Sequence, residues 1–310
     1  MRKEMIWAYL IHLGYNMWSD GPNQRQDTPF YEKLYADDDI WKKVVDFLPS
    51  QGINMLLIDV GEGLQYESHP EISIEGAWSK DKLKAELDRI RSLGITPIPK
   101  LNFSKGHDAW LGEYHYMVSI PKYYQVCEDL IKEVAEVFDY PEYFHLGLDE
   151  ENIENQWHQK IAIVRHRELW WHDVNFYFQV CDKVGARPWV WADPCWDNPE
   201  EYLRKMSKSV LQSNWYYGRF CPILENSVKK VETYELLEKS GFDQIPTCSS
   251  YVYRFNHVEC VDYIKKVISE ERLKGMMTAP WFATCKECYY DLLSDASHLG
   301  DAKRKYYAEP

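Results

Sequence analysis

The sequence predicts a single domain, residues 1–310, folded as a (β/α)8 or TIM barrel, and three observations support this prediction. First, short apolar runs alternate with longer amphipathic segments along the whole chain, and eight of each can be counted. Second, several amphipathic segments end on a glycine that an apolar run follows at once, as at Gly52-Ile53 and Gly94-Ile95. Third, no break in composition and no glycine-rich phosphate loop occurs, which favours a closed parallel barrel over an open doubly wound sheet.

The eight apolar runs are the predicted strands of the barrel. They are Met5–Leu13, Ile53–Val60, Ile95–Phe103, Tyr143–Asp149, Arg187–Asp193, Val210–Tyr216, Phe242–Tyr251 and Gly275–Phe282. Between them, apolar residues recur every three or four positions, as in Leu83, Leu87 and Ile90, which predicts helices with one buried face. Because glycine suits the left-handed residue after a helix, the junctions at Gly52, Gly94, Gly185, Gly241 and Gly275 mark predicted helix ends just before strands.

Composition and charge exclude several classes of function. The net charge of −13 would repel a phosphate backbone, so nucleic acid is not an expected partner. No run approaches the roughly 18 apolar residues of a membrane span, and Met5–Leu13 is interpreted as the first strand rather than a secretory leader. Eight cysteines spread through predicted strands and helices suggest reduced thiols in a cytoplasmic protein. Cys285 and Cys288 have CxxC spacing, but nothing nearby completes a zinc set, so neither a metal nor a cofactor is expected.

In a β/α barrel, functional side chains gather at the C-terminal ends of the strands. The residues at these positions are polar or aromatic. In strand order they are Tyr15, Asn16 and Trp18; Asp59 and Glu62; Asn102 and His107; Asp149 and Glu150; Trp191, Asp193 and Trp196; Trp215 and Tyr216; Tyr251 and Tyr253; and Trp281. Aromatic faces at the ends of strands 5, 6 and 8 could enclose a methyl group or a sugar ring, which predicts a carbohydrate ligand.

The fourth strand is the most informative of the eight. With a period of two, it places Phe144, Leu146 and Leu148 on one face and His145 and Asp149 on the other, with Glu150 at the rim. Two adjacent carboxylates in a partly desolvated pocket resist ionising together, so one pKa is expected to rise. The carboxyl that stays protonated near neutral pH would be the general acid that a glycosidic oxygen needs.

The run at the end of strand 4 is His145-Leu146-Gly147-Leu148-Asp149-Glu150, which resembles the His-x-Gly-x-Asp-Glu hallmark of glycoside hydrolase family 20, the β-N-acetylhexosaminidases. Shorter similarities extend the resemblance over most of the chain. They are found in the segments 66–71 and 76–79, in 95–100, at His107, in 190–193 and at Trp215, Tyr251 and Trp281.

The resemblance implies retaining, substrate-assisted hydrolysis, in which the 2-acetamido oxygen of the sugar replaces an enzyme nucleophile. Glu150 would be the general acid and base, Asp149 would hold the acetamido N–H, and Tyr251 would donate to the acetamido oxygen. The remaining roles are also implied by the family. Trp191, Trp215 and Trp281 would enclose the acetamido methyl, with His107 and His145 in support.

The sequence also departs from the family pattern. The stretch from His12 to Trp18 has no arginine to grip the outer sugar hydroxyls, Trp-x-Glu becomes Trp281-Phe282-Ala283, and Tyr-x-Asp becomes Tyr251-Val252-Tyr253. We therefore expect the same chemistry on a substituted, differently configured or internal sugar. Substitute contacts are expected from Asn16, Glu62, Tyr253 or Arg254. The family's usual accessory domain before the barrel is not expected here.

Two alternatives remain open at this level. One is a glycosidase acting on sugars without an acetamido group, with Asp59, Glu62 or Glu287 as nucleophile or base. The other is a sugar-binding barrel without catalysis, which the missing arginine and glutamate favour. An oligomer is compatible with the sequence.

Overall fold

Parallel strands form the wall of the barrel, which the computed structural model describes over residues 4–21, 29–157, 159–221 and 223–307. In these residues there are eight strands. They are β1 (Ile6–His12), β2 (Met55–Asp59), β3 (Thr96–Lys100), β4 (Tyr143–His145), β5 (Arg187–Trp191), β6 (Leu211–Ser213), β7 (Thr247–Cys248) and β8 (Gly275–Thr278). All eight overlap the predicted runs, and the predicted barrel is confirmed.

The strands pair in parallel in the order β6-β5-β4-β3-β2-β1-β8-β7. The remaining gap, between β6 and β7, is closed by backbone hydrogen bonds. Gln212 N donates to Asp243 O at 3.1 Å, Ile245 N to Gln212 O at 2.9 Å, and Thr247 N to Asn214 O at 2.9 Å. The sheet therefore closes on itself, which brings the C-terminal ends of all the strands around one mouth.

Helices cover the outside of the barrel. In the described residues they are α1 (Asp38–Phe47), α2 (Lys80–Ser92), α3 (Pro121–Val137), α4 (Arg167–Lys183), α5 (Pro194–Asp197), α6 (Pro199–Lys205), α7 (Glu225–Lys239), α8 (Asn256–Val267) and α9 (Tyr289–Tyr307). No helix in the described part of the chain is long and apolar enough to cross a bilayer. All eight cysteines are free thiols.

Side chains alternate between two apolar layers, as the period of a strand requires. In β1, Ile6, Ala8 and Leu10 point into the barrel and join Met55, Leu57 and Trp189 in an inner cluster. Trp7, Tyr9 and Ile11 belong instead to the larger cluster between the barrel and its helices. In and after β4, Phe144, Leu146 and Leu148 lie in that outer cluster, so the predicted faces are confirmed.

The ends of the elements depart from the sequence prediction. β4 ends at His145 rather than Asp149, and β7 keeps only two residues, because these segments leave extended geometry to form the mouth. Gly52, Gly94, Gly185 and Gly241 have φ values of 72–78°, as predicted for helix ends. Gly275 lies in β8 instead, where an added Cβ would come within 2.3 Å of Ile6 O, so there the glycine allows close strand approach.

Candidate active site

The chain turns sharply after β4, and this turn presents the two acids. Three residues have left-handed backbone: Gly147 at φ 71°, Leu148 at 73° and Glu150 at 52°. At Gly147 a Cβ would lie 1.9 Å from Oδ1 of Asn102, so no other residue fits without displacing that amide. The glycine of the motif is therefore needed both for its φ and for the space that Asn102 occupies.

Asn102, which follows β3, fixes the carboxylate of Asp149. Its Nδ2 donates to Asp149 Oδ1 at 2.8 Å, while its Oδ1 accepts from Leu148 N at 3.2 Å and from Ser104 N at 3.1 Å. Ser104 also donates its hydroxyl to the Asp149 carbonyl. Asp149 is buried and is held on both its side chain and its backbone.

His107 lies between the two carboxylates. Its Nδ1 is 3.4 Å from Asp149 Oδ1, and its Nε2 is 3.5 Å from Glu150 Oε2. Burial alone would lower the pKa of His107, but the charge of Asp149 outweighs it and raises the pKa to about 9. Burial acts the other way on Asp149, yet the positive charge of His107 holds its pKa below its usual range. Asp149 is therefore an anion paired with an imidazolium.

The carboxyl with the raised pKa is a third one, Asp193, which follows β5. Burial, and then the charge of Asp149, raise the pKa of Asp193 well above its usual range. It accepts hydrogen bonds from Glu150 N at 2.7 Å and from the Trp215 indole at 3.2 Å. The sequence led us to expect a raised pKa at one of two adjacent acids. The raised pKa is found at Asp193, whereas the pKa of Asp149 is lowered.

Two of the three predicted tryptophans contact each other, and the third donates to Asp193. The ring centroids of Trp191 and Trp281 are 5.8 Å apart, and Trp191 also contacts His145 at 4.6 Å. Trp215 makes different contacts, since its ring stacks on Tyr217 at 5.0 Å and meets the edge of Trp196 at 4.5 Å. We call the group of side chains formed by Trp191, Trp281 and Tyr217 beside Asp149 the cup.

Tyr217 is the residue that sequence reasoning missed. It is buried, and its hydroxyl makes no hydrogen bond of ordinary geometry with the described residues, although the Trp281 indole lies beside it. Burial raises the pKa of Tyr217 well above its usual value, and the charges of Asp149 and Glu150 add to this effect. The phenol therefore stays protonated with a hydrogen to donate. Its only sequence signal is its place in the aromatic run Trp215-Tyr216-Tyr217.

The tyrosines after β7 are placed differently from the prediction. Tyr251 is 56% exposed, and its ring packs on Phe282 at 5.8 Å. Tyr253 donates its hydroxyl to Glu259 at 2.9 Å. Neither contact connects these side chains to Asp149 or Glu150.

The predicted contacts after β1 and β2 are occupied within the protein. Asn16 donates its Nδ2 to Tyr31 O and accepts Tyr31 N on its Oδ1, both at 2.8 Å. Glu62 accepts the backbone N–H groups of Tyr15 at 2.8 Å and Asn16 at 2.9 Å, and burial raises its pKa to about 7. These two side chains shape the loop after β1.

Beneath the cup, Asp59 pairs with the fully buried ammonium of Lys100, and His12 Nδ1 lies 3.5 Å from the same carboxylate. His145 accepts Gly147 N on its Nδ1 at 3.1 Å, and burial, reinforced by Lys100, lowers its pKa well below the usual value. A neutral His145 therefore supports the start of the turn. In the described residues, no three His, Cys, Asp or Glu side chains are grouped as metal ligands.

Solved structures similar to this one include three glycosidases. The exo β-N-acetylglucosaminidase of Vibrio harveyi aligns with a TM-score of 0.63 and 14% identity over 96% of this chain and 54% of its own. For the β-N-acetylhexosaminidase of Streptomyces coelicolor A3(2) the TM-score is 0.65, at 13% identity over 96% and 64%. The chitobiase of Flavobacterium johnsoniae aligns at 0.62 and 17% identity over 85% and 46%.

The chain thus spans between about half and two thirds of the length of these proteins. None of the curated proteins matches the chain. Residues 102–253, from Asn102 past Tyr251, match the model of the glycosyl hydrolase family 20 catalytic domain. Residues 102–253 are therefore similar to the catalytic domain of glycosyl hydrolase family 20, and the barrel has the fold of these solved glycosidases.

Proposed function

We propose that the protein is a retaining β-N-acetylhexosaminidase-like glycosidase that hydrolyses a 2-acetamido sugar with the help of the substrate's own acetamido group. One observation carries the proposal. A buried, ionised Asp149 is fixed by Asn102 and His107 next to Glu150, at the edge of an aromatic cup. The Vibrio harveyi enzyme was solved with N-acetylglucosamine bound, which supports this choice of sugar.

In the first step the acetamido oxygen attacks C1 of the sugar and the C1–O bond to the leaving group breaks. Glu150 gives its proton to the departing oxygen. Asp149 accepts a hydrogen bond from the acetamido N–H and stabilises the positive charge that develops on the oxazolinium ring. Because Asp149 remains ionised through its pairing with His107, this negative charge is present before the reaction begins.

Tyr217, rather than Tyr251, donates to the acetamido oxygen in our proposal. Its unpartnered hydroxyl is buried beside Trp281 and near both acids, whereas Tyr251 is exposed. Trp191 and Trp281 enclose the acetamido methyl, and Trp215 supports Tyr217 from behind through the stacked rings.

In the second step Glu150, now a carboxylate, takes a proton from water as the water oxygen attacks C1 and opens the oxazolinium ring. Asp193 positions Glu150 for both steps by accepting its backbone N–H. The product is the free sugar with its original anomeric configuration. Asn16, Glu62 and Tyr253 each make a hydrogen bond within the protein, so we assign none of them to the outer hydroxyls of the sugar.

The alternative with an enzyme nucleophile has no comparable support. Asp59 is paired with Lys100, Glu62 holds the loop after β1, and Glu287 lies exposed after β8. A buried carboxylate already engaged with a lysine is a poor nucleophile, because its charge is stabilised before the reaction begins.

The test compares 4-nitrophenyl β-glycosides of N-acetylglucosamine, its 6-sulfate, N-acetylgalactosamine and glucose. At least one acetamido sugar should be cleaved and the glucoside should not. Glu150→Gln should lower kcat about 10²-fold or more, and Tyr217→Phe about 10²-fold. The controls Glu136→Gln, an exposed acid of α3, and Tyr251→Phe should stay within about twofold.

Cleavage of the glucoside at a similar rate would instead support an enzyme nucleophile. Saturable binding of these sugars without any turnover would support the non-catalytic barrel. A thiazoline mimic of the cyclic intermediate should inhibit the wild type strongly and Asp149→Asn weakly, because only the proposed mechanism makes that ring.

A further inference from the structure

Glu150 and Asp193 also border a cavity of about 510 Å³. The loop after β4, the start of α4, the short helices α5 and α6, and the start of α7 form the rest of its wall. Trp191 and Trp281 do not line it. Glu150 therefore lines this cavity, while the His107 ring connects it to Asp149 of the cup.

A general acid must reach the oxygen of the bond that breaks. If the cup holds the sugar whose C1 reacts, the group on the far side of that oxygen lies across Glu150 from the cup. The cavity is the described space in that position, and it is large enough for a sugar residue.

Most carboxylates around the cavity are already neutralised. Glu151 accepts from Arg165 Nε at 2.6 Å, and Glu201 pairs with Lys205 at 2.9 Å. The raised pKa of Asp193, caused by burial and by Asp149, leaves that group uncharged. Glu150 lies 3.5 Å from the His107 ring, and two exposed acids at the margin, Glu154 and Asp197, remain.

The cations on the opposite wall are not neutralised in the same way. Asn226, Lys229 and Lys230 lie on one face of α7, because positions i, i+3 and i+4 of a helix are neighbours. Lys230 Nζ lies 4.3 Å from the ring of Trp196 and 4.9 Å from that of Trp215, and it has no carboxylate partner among the described residues. Lys229 reaches only the exposed Glu225, at 4.0 Å.

An ammonium held over two indoles, beside carboxylates that already have partners, favours an anion in the adjoining space. We propose that this cavity is the leaving-group subsite and that it takes a sugar bearing an anionic group, whose carboxylate or sulfate pairs with Lys230. The inference rests on the proposed glycosidase function, since that function makes the cavity the place of the leaving group.

Calorimetric titration tests the subsite without requiring turnover. The probes are methyl β-D-glucuronide, methyl β-D-glucoside 6-sulfate and the neutral methyl β-D-glucoside. At least one anionic probe should bind the wild type about tenfold more tightly than the neutral one, equivalent to about 1.4 kcal/mol. The probe that binds better shows whether carboxylate or sulfate is preferred.

Lys230→Met should reduce this preference to within about twofold, and Lys230→Gln should do the same. Lys239→Met, at the exposed far end of the same helix, should leave the preference unchanged. Equal binding of charged and neutral probes by the wild type, or a preference that survives both Lys230 variants, overturns the proposal.

A kinetic comparison separates this inference from the proposed function. Aryl glycosides whose leaving group carries either a carboxylate or its methyl ester should differ in kcat/KM, and Lys230→Met should shrink that difference about tenfold. Because the same pair is compared in both proteins, the leaving-group pKa cancels. A protein that hydrolyses neither compound, but still prefers the anionic probe through Lys230, would refute the hydrolysis and leave the subsite intact.

Discussion

His107 connects the two acids of the site through one ring. Its pKa of about 9, raised by Asp149 against the effect of burial, means that the ring carries a charge at neutral pH. That charge offsets the desolvation of Asp149 and keeps this carboxylate ionised. The histidine thus sets the protonation state of the site without touching the bond that breaks.

The raised pKa of His107 predicts how activity and stability change with pH in the alkaline range. The folded pKa, about 9, lies above the unfolded value of about 6.5, so the stability gained from the charged ring is complete below pH 6.5 and is lost as pH rises through 9. We expect kcat/KM to fall over the same alkaline range. The measurements are a pH profile of hydrolysis and urea unfolding at pH 6 and at pH 9.5.

His107→Gln should lower kcat/KM at pH 7 by about tenfold or more and remove this alkaline decline. The exposed His172→Gln should keep the wild-type profile. If the decline near pH 9 persists in His107→Gln, another group titrates there and the assignment to His107 is wrong.

At the level of single residues, the sequence identified the acids but not all of their partners. Asp149, Glu150 and His107 were predictable because they occupy a motif or a strand end. Tyr217 was not, because Tyr216, Tyr217 and Tyr251 all follow strands, and their hydroxyls differ only in burial and direction. Loop conformation decides such differences, and it has no period in the sequence.

The elements that build the site meet at the turn after β4. A strand continued to Asp149 would have alternated its side chains without reversal, but three left-handed residues redirect the chain after His145. Asn102, from the end of β3, fills the space beside Gly147. The two strand ends therefore form one hydrogen-bonded unit.

Substitution of Gly147 should show how far the fold depends on the packing of Asn102 against this glycine. Gly147→Ala would combine the strain of a positive φ, about 1–2 kcal/mol, with a 1.9 Å approach to Asn102, and should cost at least twice as much unfolding free energy as the φ strain alone. Gly185→Ala is the matched control, since its φ of 76° is similar but an added Cβ meets nothing within 4 Å.

Urea unfolding gives both free energies, and kcat shows whether Asp149 has moved. Gly147→Ala should lose most of its activity while Gly185→Ala keeps it. Equal losses of stability in the two variants would mean that Asn102 shifts freely, contrary to the tight packing described above.

At this scale the sequence predicted that every strand exists but placed several ends wrongly. Apolar runs in a sequence indicate buried residues. Leu146 and Leu148 are still buried, although β4 has already ended at His145. A hydrophobic pattern therefore marks the barrel wall better than it marks where a strand stops.

In the whole molecule, the barrel carries an ion pair in its apolar interior. Lys100 is fully buried and pairs with Asp59 across β2 and β3, with His12 of β1 close to the same carboxylate. Alternating strands and helices made the closed barrel predictable, yet nothing in that alternation required a lysine inside. The pair became visible only once the strands were in register.

Removing one member of this pair should destabilise the whole domain. Lys100→Met leaves the Asp59 charge buried with only His12 nearby, which should cost about 3–5 kcal/mol of unfolding free energy. Lys43→Met, which breaks the exposed pair with Asp39, should cost less than about 1 kcal/mol.

Thermal and urea unfolding would measure both variants. The double change Lys100→Met with Asp59→Leu should recover part of the loss, because no charge then stays buried without a partner. Failure to recover any of it would point to a packing role for the lysine stem rather than an electrostatic one.

The Trp215 ring stacks on Tyr217 of the cup and also contacts Lys230, which lines the neighbouring cavity, so one indole links the two regions. An anionic ligand that pairs with Lys230 and moves it away from the Trp215 ring would change how that ring packs against Tyr217. We expect binding in the cavity to alter the affinity of the cup for its ligand, and by thermodynamic reciprocity the reverse effect should be equal in size. A leaving group that stays bound in the cavity would, through Trp215, change the affinity of the cup for the next sugar.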